Sequence, residues 1–189
     1  MEWSVRPAYG SDVEPLARVH LRSWRWAYRG LLPSAYLKSL RLDELALRWS
    51  QRIAVEDSEE AVRVLEVEGR AQGFVAFGPH KDETWLGHAG EVFMLYLEPE
   101  LVGCGLGRAL LQRALEELGR CECYWVVLWV LARNERARRF YERQSLRPDG
   151  SYRWDPFGSQ AVPVVRYAKA LNPVVDFNAL RKRTPARRG

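Results

Sequence analysis

Hydrophobic and polar positions along the chain follow two periods, and the shorter one marks strands. Alternation predicts strands at 3–6, 62–67 and 73–77, and a turn joins the last two into an antiparallel hairpin. Two runs with few polar residues, 91–97 and 124–131, are typical of strands that are buried on both faces.

The longer period places apolar residues three and four positions apart and predicts the helices. A capping box of Ser11 and Glu14 is expected to start the first helix, which ends before residue 33. Further helical stretches are predicted at 37–53, 107–118 and 135–144.

The order of these elements predicts the fold class. A strand that returns through one helix is a right-handed crossover, so 91–97 and 124–131 should be parallel. The early hairpin and a closing pair of strands at 151–154 and 163–168 should be antiparallel. We therefore predict an α/β fold of the α+β type, with a mixed, mostly antiparallel central sheet and helices on both faces.

Composition and charge limit the number of domains and the kinds of partner. The 189 residues are 47% hydrophobic and 28% charged, which suits one domain with a real core. Residues 172–189 hold five basic side chains and one aspartate, so they carry +4 of the chain's net charge of +5. We predict a domain at 1–171 and a basic, mobile tail at 172–189, which could contact nucleic acid or anionic lipid.

Signals for secretion, disulfides and membranes are weak. The chain opens without a basic and apolar leader, and its longest apolar run, 124–132, is too short to span a bilayer. Cys104, Cys121 and Cys123 form no C-x-x-C pair, and nothing pairs Cys104 with a histidine as a nucleophile. These features favour a cytoplasmic protein that does not enter a membrane.

The loop 101–108, Leu-Val-Gly-Cys-Gly-Leu-Gly-Arg, joins a buried strand to the start of a helix. Helix N-termini offer unpaired amides and bind phosphate. Gly103, Gly105 and Gly107 allow positive φ and close approach of the backbone to an anion, and Arg108 adds charge. The spacing differs from both the P-loop and the G-x-G-x-x-G fingerprint. The sequence therefore predicts a pyrophosphate loop, with a ligand-free connecting loop as the alternative.

Three motifs in the same order resemble the GNAT superfamily of N-acetyltransferases. The strand Glu91-Val-Phe-Met-Leu-Tyr-Leu-Glu-Pro99 is similar to the family's Glu-x-x-x-Leu-Tyr-Val-x-Pro, and 102–107 is similar to Gln/Arg-x-x-Gly-x-Gly/Ala. The family's Asn, Ala and Phe-Tyr correspond to Asn134, Ala137 and 140–141. The resemblance covers about residues 3–171. The chain departs from the family pattern at Val102, which lacks the usual Gln or Arg side chain but should keep its amide for phosphate. It also departs at 145–147, where Ser-Leu-Arg stands in place of the family's frequent Gly-Phe.

The resemblance implies a fold and a co-substrate. The two parallel strands would splay apart and admit the pantetheine arm of acetyl-CoA, with amides near Leu97 facing the thioester carbonyl. No metal is implied. The residues expected to bind acetyl-CoA are Leu97, Val102, Gly103, Cys104, Gly105, Leu106, Gly107, Arg108 and Asn134.

The resemblance also implies a reaction, in which a primary amine attacks the thioester directly through a tetrahedral intermediate. Tyr141 matches the family's acid and could protonate the leaving thiolate, although it could also be a core aromatic. Glu91, at the head of the central strand, is the candidate base through a water, with a solvated strand-end carboxylate as the alternative. Asn134 could hydrogen-bond the pantetheine arm and also cap its helix.

The acceptor is not defined by these motifs. Trp24, Tyr28 and Tyr36 could line its pocket, although Trp24 and Tyr28 could instead continue the buried stripe of the first helix. Small polyamines, amino sugars, peptide N-termini and lysine side chains remain open. His80, Asp82 and His88 share a polar loop without metal-ligand spacing, so we expect no metal.

Two alternative functions compete with catalysis. One is a non-catalytic module that senses acetyl-CoA. The other is a nucleic-acid-associated protein that acts through the tail. Aromatic side chains near the N-terminal helices would permit a homodimer.

Overall fold

The computed structural model describes residues 1–55, 58–81 and 89–171. Within them, seven strands form one sheet in the order β1-β2-β3-β4-β5-β7-β6. Only β4 and β5 pair in parallel, and this confirms the predicted mixed sheet. The strands are β1 Trp3–Pro7, β2 Ala61–Val67, β3 Arg70–Pro79, β4 Ala89–Leu97, β5 Trp125–Leu131, β6 Arg147–Phe157 and β7 Gln160–Ala170.

Helices cover both faces of the sheet, as predicted. Alternate side chains of the strands point to opposite faces, so β2 and β3 contribute to two separate cores. Leu65 and Val75 pack with α4, while Val64 and Phe74 pack with α1 and α3. The helices are α1 Val13–Ala27, α2 Ser34–Ser39, α3 Leu42–Ile53, α4 Leu106–Arg120 and α5 Glu135–Arg143.

The two helical layers bury the centres of their apolar stripes. Leu110 and Leu111 of α4 are 0% exposed, and burial of each such side chain is worth roughly 1.5–3 kcal/mol. On the other face, the rings of Trp49 and Phe74 meet edge to face at 4.7 Å. The packing of α4 is close, since a Cβ on Gly90 would lie 2.5 Å from Leu118.

Two details of the N-terminal half differ from the predictions. Ser11 does not cap α1. Instead the carboxylate of Asp12 accepts from the amide of Tyr9 at 2.8 Å and forms an ion pair with Arg6. The predicted helix at 37–53 is divided, because the backbone is extended at Leu40 and Arg41 between α2 and α3.

The parallel pairing between β4 and β5 is short. It joins Ala89, Gly90 and Glu91 to residues 125–127, and the two strands then part. Pairing of β4 with β3 continues to Leu97, with a bulge at Phe93. Both strands therefore keep their outer partners while a gap opens between them.

Several predictions concern residues outside the described ranges. They include the basic tail at 172–189, and with it the domain boundary, and the side chains of Asp82 and His88. The boundary stays a prediction. Among the described residues, no helix has the length and apolar character needed to cross a membrane.

Candidate active site

The gap between β4 and β5 is a cleft of about 370 Å³. Its walls are the diverging halves of the two strands, the loop before α4, the cleft-facing side of α5 and the end of α1. The site residues predicted from sequence that line it are Tyr28, Leu97, Val102, Gly103, Gly105, Gly107, Arg108, Asn134 and Tyr141.

Two glycines give the loop before α4 its shape. Gly103 has φ of 95° and Gly105, the N-cap of α4, has φ of 83°, a region that disfavours other residues. Gly107 differs from the expectation, because it lies inside α4 and shows no positive φ. Its role is close packing, since a Cβ there would stand 3.3 Å from Leu97 and 3.7 Å from Phe140.

Four backbone amides of this loop are available to an anion. The N–H groups of Gly103, Gly105, Leu106 and Gly107 donate to no acceptor among the described residues. They lie at the positive end of α4, whose exposed Arg108 also lines the cleft. This arrangement suits a phosphate or diphosphate, which needs several convergent donors.

The amides of Val102 and Cys104 are already used inside the loop. Val102 donates to the carbonyl of Pro99 at 3.2 Å, and Cys104 donates to that of Leu101 at 3.3 Å. The expectation that the Val102 amide is available for phosphate therefore differs from the structure. What Val102 presents to the cleft is its side chain, which is 39% exposed.

The end of β4 is fixed by a buried hydrogen bond. Ser23 of α1 donates its Oγ to the carbonyl of Leu97 at 2.6 Å. The next amide, of Glu98, donates to Gln72 on the β3 side at 2.8 Å. Because successive amides of a strand point to opposite edges, the N–H of Leu97 points to the cleft edge.

Helix α5 begins with a cap, as predicted. The side-chain oxygen of Asn134 accepts from the amide of Ala137 at 3.1 Å. No described residue bonds its carboxamide nitrogen, and Asn134 lines the cleft. The side chain is therefore a cap whose N–H groups remain available to a ligand.

Three tyrosines converge at the inner end of the cleft. The hydroxyls of Tyr28 and Tyr96 are 2.7 Å apart, and Tyr141 lines the cleft beside them. Burial raises the pKa of Tyr141, and the nearby Tyr28 raises it further. Burial likewise raises the pKa of Tyr28 and of Tyr96. All three phenols are therefore protonated at neutral pH.

Tyr141 is held in place through its neighbours on α5. The fully buried Tyr167 of β7 donates its hydroxyl to Glu142 at 2.7 Å and accepts from Arg138 at 3.0 Å. Arg138 also donates to the carbonyl of Ala132 at 2.9 Å. This network ties α5 to β7 on both sides of Tyr141.

Glu91 is not brought into the cleft. Its carboxylate accepts from Nδ1 of His80 at 2.8 Å, and Glu91 is absent from the cleft lining. Its neighbours Gly90 and Val92 face α4, so the side chain of Glu91 points to the opposite face of the sheet.

Trp24 lies on a second cavity, of about 240 Å³, between α1, α2, α3 and β4. Sequence reasoning missed this cavity and three contributors to the cleft, Ser23, Tyr96 and Arg136. The guanidinium of Arg136 lies 3.8 Å above the ring of Trp26 on the cleft wall. Tyr96 belongs to the Leu-Tyr pair of the strand motif at 91–99, and this was the one sequence signal that could have identified it. Nothing in the sequence signalled the other two.

No group of three metal-ligating side chains occurs in the described part of the chain. Of the polar loop considered for a metal, His80 is described, and its Nδ1 bonds Glu91.

Comparison with known proteins places the chain in a family. The profile of the acetyltransferase (GNAT) family matches residues 19–145. An uncharacterised N-acetyltransferase of Bacillus subtilis, YuaI, is 36% identical over 69% of this chain and 73% of its own length. The resemblance read from the sequence is thereby confirmed.

Solved structures share the fold at low sequence identity. PaiA N-acetyltransferase of Thermoplasma acidophilum, in complex with coenzyme A, has a TM-score of 0.74 at 19% identity, covering 90% of this chain and 99% of its own. YncA, a putative acetyltransferase of Salmonella typhimurium with its cofactor acetyl-CoA, has a TM-score of 0.67 at 18% identity, covering 93% and 97%. These likenesses confirm the predicted fold.

Proposed function

The chain belongs to the GNAT family of acetyltransferases, and on that premise we propose that it moves the acetyl group of acetyl-CoA to a primary amine. It is an acyltransferase, as its family and its relatives named N-acetyltransferases indicate. The observation that carries the proposal is the cleft itself. It has four unpaired amides at its mouth and protonated tyrosines at its inner end.

The loop at 103–107 would hold the diphosphate of acetyl-CoA. Four unpaired amides and the positive end of α4 fit two phosphate groups, and Arg108 supplies a full charge. Asn134 would donate to the pantetheine arm with the N–H groups that its cap leaves available. Cys104 and Val102 would contribute contacts around the loop and no amide to the phosphates.

The amide of Leu97 would stabilise the oxyanion of the tetrahedral intermediate. Ser23 and Gln72 both fix the peptide unit that follows Leu97, and this orients the backbone that carries the Leu97 amide. One such donor is worth roughly 3–4 kcal/mol of transition-state stabilisation in comparable sites. The amine nitrogen first forms the C–N bond, and the second electron pair of the C=O bond moves to oxygen. When the intermediate collapses, the C=O bond forms again, the C–S bond breaks, and its electron pair leaves with sulfur.

Two proton transfers complete the reaction. Tyr141 would donate its phenolic proton to the departing thiolate, and its raised pKa keeps that proton in place until then. Before it attacks, the acceptor ammonium would lose a proton through water to Glu91, since the carboxylate does not line the cleft. Both roles are proposals that follow the family pattern.

Isothermal titration with acetyl-CoA tests the binding half of the proposal. We expect saturable binding to the wild-type chain and at least a 100-fold weaker affinity in Gly105→Glu, which places a carboxylate and a strained φ in the loop. Gly69→Glu is the matched control, because Gly69 also has positive φ, of 71°, and open space around it, but does not line the cleft.

Thiol release with a panel of amines tests the catalytic half. Absence of acetyl-CoA binding at millimolar concentration would refute the proposal. Binding without thiol release for any amine class would leave the acetyl-CoA-sensing alternative in its place. Equal losses in Gly105→Glu and Gly69→Glu would show that the loop has no special role.

A further inference from the structure

The second cavity lies on the face of the sheet opposite α4, and its lining is rich in aromatic rings. Trp24 and His20 of α1, Tyr36 of α2 and Trp49 of α3 surround it, with Met94 of β4 at its floor. Its volume of about 240 Å³ is below the roughly 300–1,000 Å³ of sites for drug-sized ligands, so it suits a small metabolite.

Buried polar atoms around this cavity are left without partners. Trp49 is 2% exposed, and its indole nitrogen donates to no acceptor in the described part of the chain. Nδ1 of His20 is buried and has no described partner either. Buried polar atoms in native proteins are almost always paired, so an unpaired set that shares one cavity points to a polar ligand.

The charge of the lining is positive. Arg48 and Arg52 of α3 line the cavity, and no acidic residue does. Arg52 is neutralised by Glu60, with Nη2 at 2.9 Å from the carboxylate. Arg48 forms no ion pair with a described residue and is exposed at the cavity wall. The site therefore offers one unpaired cation and an indole donor, which suits a single carboxylate and opposes a polycation.

The cavity adjoins the cleft where the acetyl group would lie. Met94 lines both spaces. The ring of Tyr96 stacks on His20 at 5.4 Å, while its hydroxyl meets Tyr28 in the cleft. Met94 therefore borders both spaces, and its thioether side chain rearranges at low cost.

We propose that the second cavity is the acceptor site and that the acceptor is a small primary amine carrying a carboxylate, such as an amino acid. Arg48 and the Trp49 indole bind the carboxylate, the aromatic rings hold the side chain, and the amine points past Met94 toward Tyr28 and Tyr96. This rests on the proposed acetyl transfer and narrows its substrate class.

Amino acids and their carboxamides form the test, since the pairs differ in charge and hardly in shape. Thiol release would be measured for phenylalanine, methionine and leucine against phenylalaninamide, methioninamide and leucinamide. We expect kcat/KM at least 10-fold higher for each acid, although the carboxamides have the more readily deprotonated amines. Arg48→Met should abolish this ratio by raising KM for the acids, with acetyl-CoA affinity within twofold of wild type.

The control is Arg41→Met, which removes an exposed arginine at the start of the same helix that pairs with Asp43 and does not line the cavity. It should leave the ratio unchanged. Phosphoethanolamine against ethanolamine forms a second arm, and a larger preference there than for carboxylates would overturn the assignment. An acid-to-carboxamide ratio near one, or a ratio that survives Arg48→Met, would also overturn it.

Direct binding separates this inference from the proposed function. Titration of the amino acids into the protein with CoA present should show saturable binding that Arg48→Met removes. Active transfer to neutral or cationic amines alone would refute the carboxylate assignment and keep the acetyltransferase. Amino-acid binding that depends on Arg48 without acetyl-CoA binding would support the cavity and refute the transfer.

Discussion

The cleft and the second cavity, on either side of β4, differ in whether backbone or side-chain groups form them. The mouth of the cleft is made by backbone amides and glycines at 103–107, so its chemistry depends little on which side chains surround it. The second cavity is made by side chains from three helices and a strand, such as Trp49, Arg48 and His20. If the two spaces have the proposed roles, backbone atoms bind the cofactor, which is the same in every turnover, whereas side chains select the acceptor.

Replacement of Tyr141 by Phe should produce the largest change in kcat. It would separate the catalytic role of a side chain from cofactor binding by the backbone loop. Loss of a general acid costs about 10²–10⁴-fold, and we expect about 10³ in kcat, because the leaving thiolate loses its proton donor. Acetyl-CoA affinity should stay within twofold, because we propose that it depends on the backbone loop at 103–107. Thiol-release kinetics and titration measure the two quantities. Unchanged kcat would remove Tyr141 from the mechanism and leave it as a wall residue of the cleft.

The pH profile offers a further check on Tyr141. Because its pKa lies above the usual value of about 10, the phenol stays protonated throughout pH 6–9. No loss of kcat from tyrosine ionisation should therefore appear in that range.

Acid should destabilise the side-chain cavity while leaving the backbone loop unaffected. Burial, and then the charges of Arg48 and Arg52, lower the pKa of His20 to about 4. The unfolded chain, with a histidine pKa near ~6.5, binds more protons between these values. The stabilisation is complete above pH 6.5 and is lost as pH falls toward 4, by up to ~3 kcal/mol.

Urea unfolding at pH 7.5 and pH 4.5 measures the effect, with His20→Gln as the comparison. The variant should lose less stability across that interval than the wild-type chain. Identical losses in the two proteins would show that His20 titrates normally in the folded state.

Glu91→Gln is expected to lower kcat/KM about 10-fold at pH 7, a smaller effect because water intervenes between carboxylate and amine. The loss should shrink as pH rises above the pKa of the acceptor amine, since a free amine needs no base. A loss that is the same at every pH would assign Glu91 a structural role through His80, its partner at 2.8 Å.

Asn134 caps α5 with its side-chain oxygen, and we propose that its side-chain nitrogen donates to the ligand. Asn134→Ala should cost about 1 kcal/mol in unfolding free energy through the lost cap, and also weaken acetyl-CoA binding. Asn134→Asp keeps the capping oxygen and loses the N–H groups, so it should weaken binding several-fold with stability near wild type. Equal stability of the two variants would contradict the capping role.

Local patterns were sufficient to predict most of the framework. The parallel pair, the helix after the glycine loop and the Asn134 cap follow from periodicity and capping preferences, which act over a few residues. The loop was predictable because glycine is required where φ is positive, as at Gly103 and Gly105. The break at Leu40 was not, since Arg25 of α1 donates to its carbonyl at 3.0 Å and stabilises it through tertiary contact.

The direction of Glu91 shows why the rest of the site was harder to predict. Strict alternation would place Glu91, Leu95 and Leu97 on one face of β4. The bulge at Phe93 inserts one residue, so Leu95 and Leu97 pack with α4 while Glu91 points to the other face. The second cavity was invisible for a similar reason, because its members are brought together only by the packing of α1, α2 and α3.

The short parallel pairing has a consequence for how the molecule holds together. In the described residues, β1–β4 form one hydrogen-bonded unit and β5–β7 another, and three residue pairs at 89–91 join them. A ligand between β4 and β5 would contact both units. Bound acetyl-CoA would therefore join the two strands where they share no hydrogen bonds. Native-state hydrogen exchange would then slow most at the seam, where the amides of Leu95 and Leu97 border the gap.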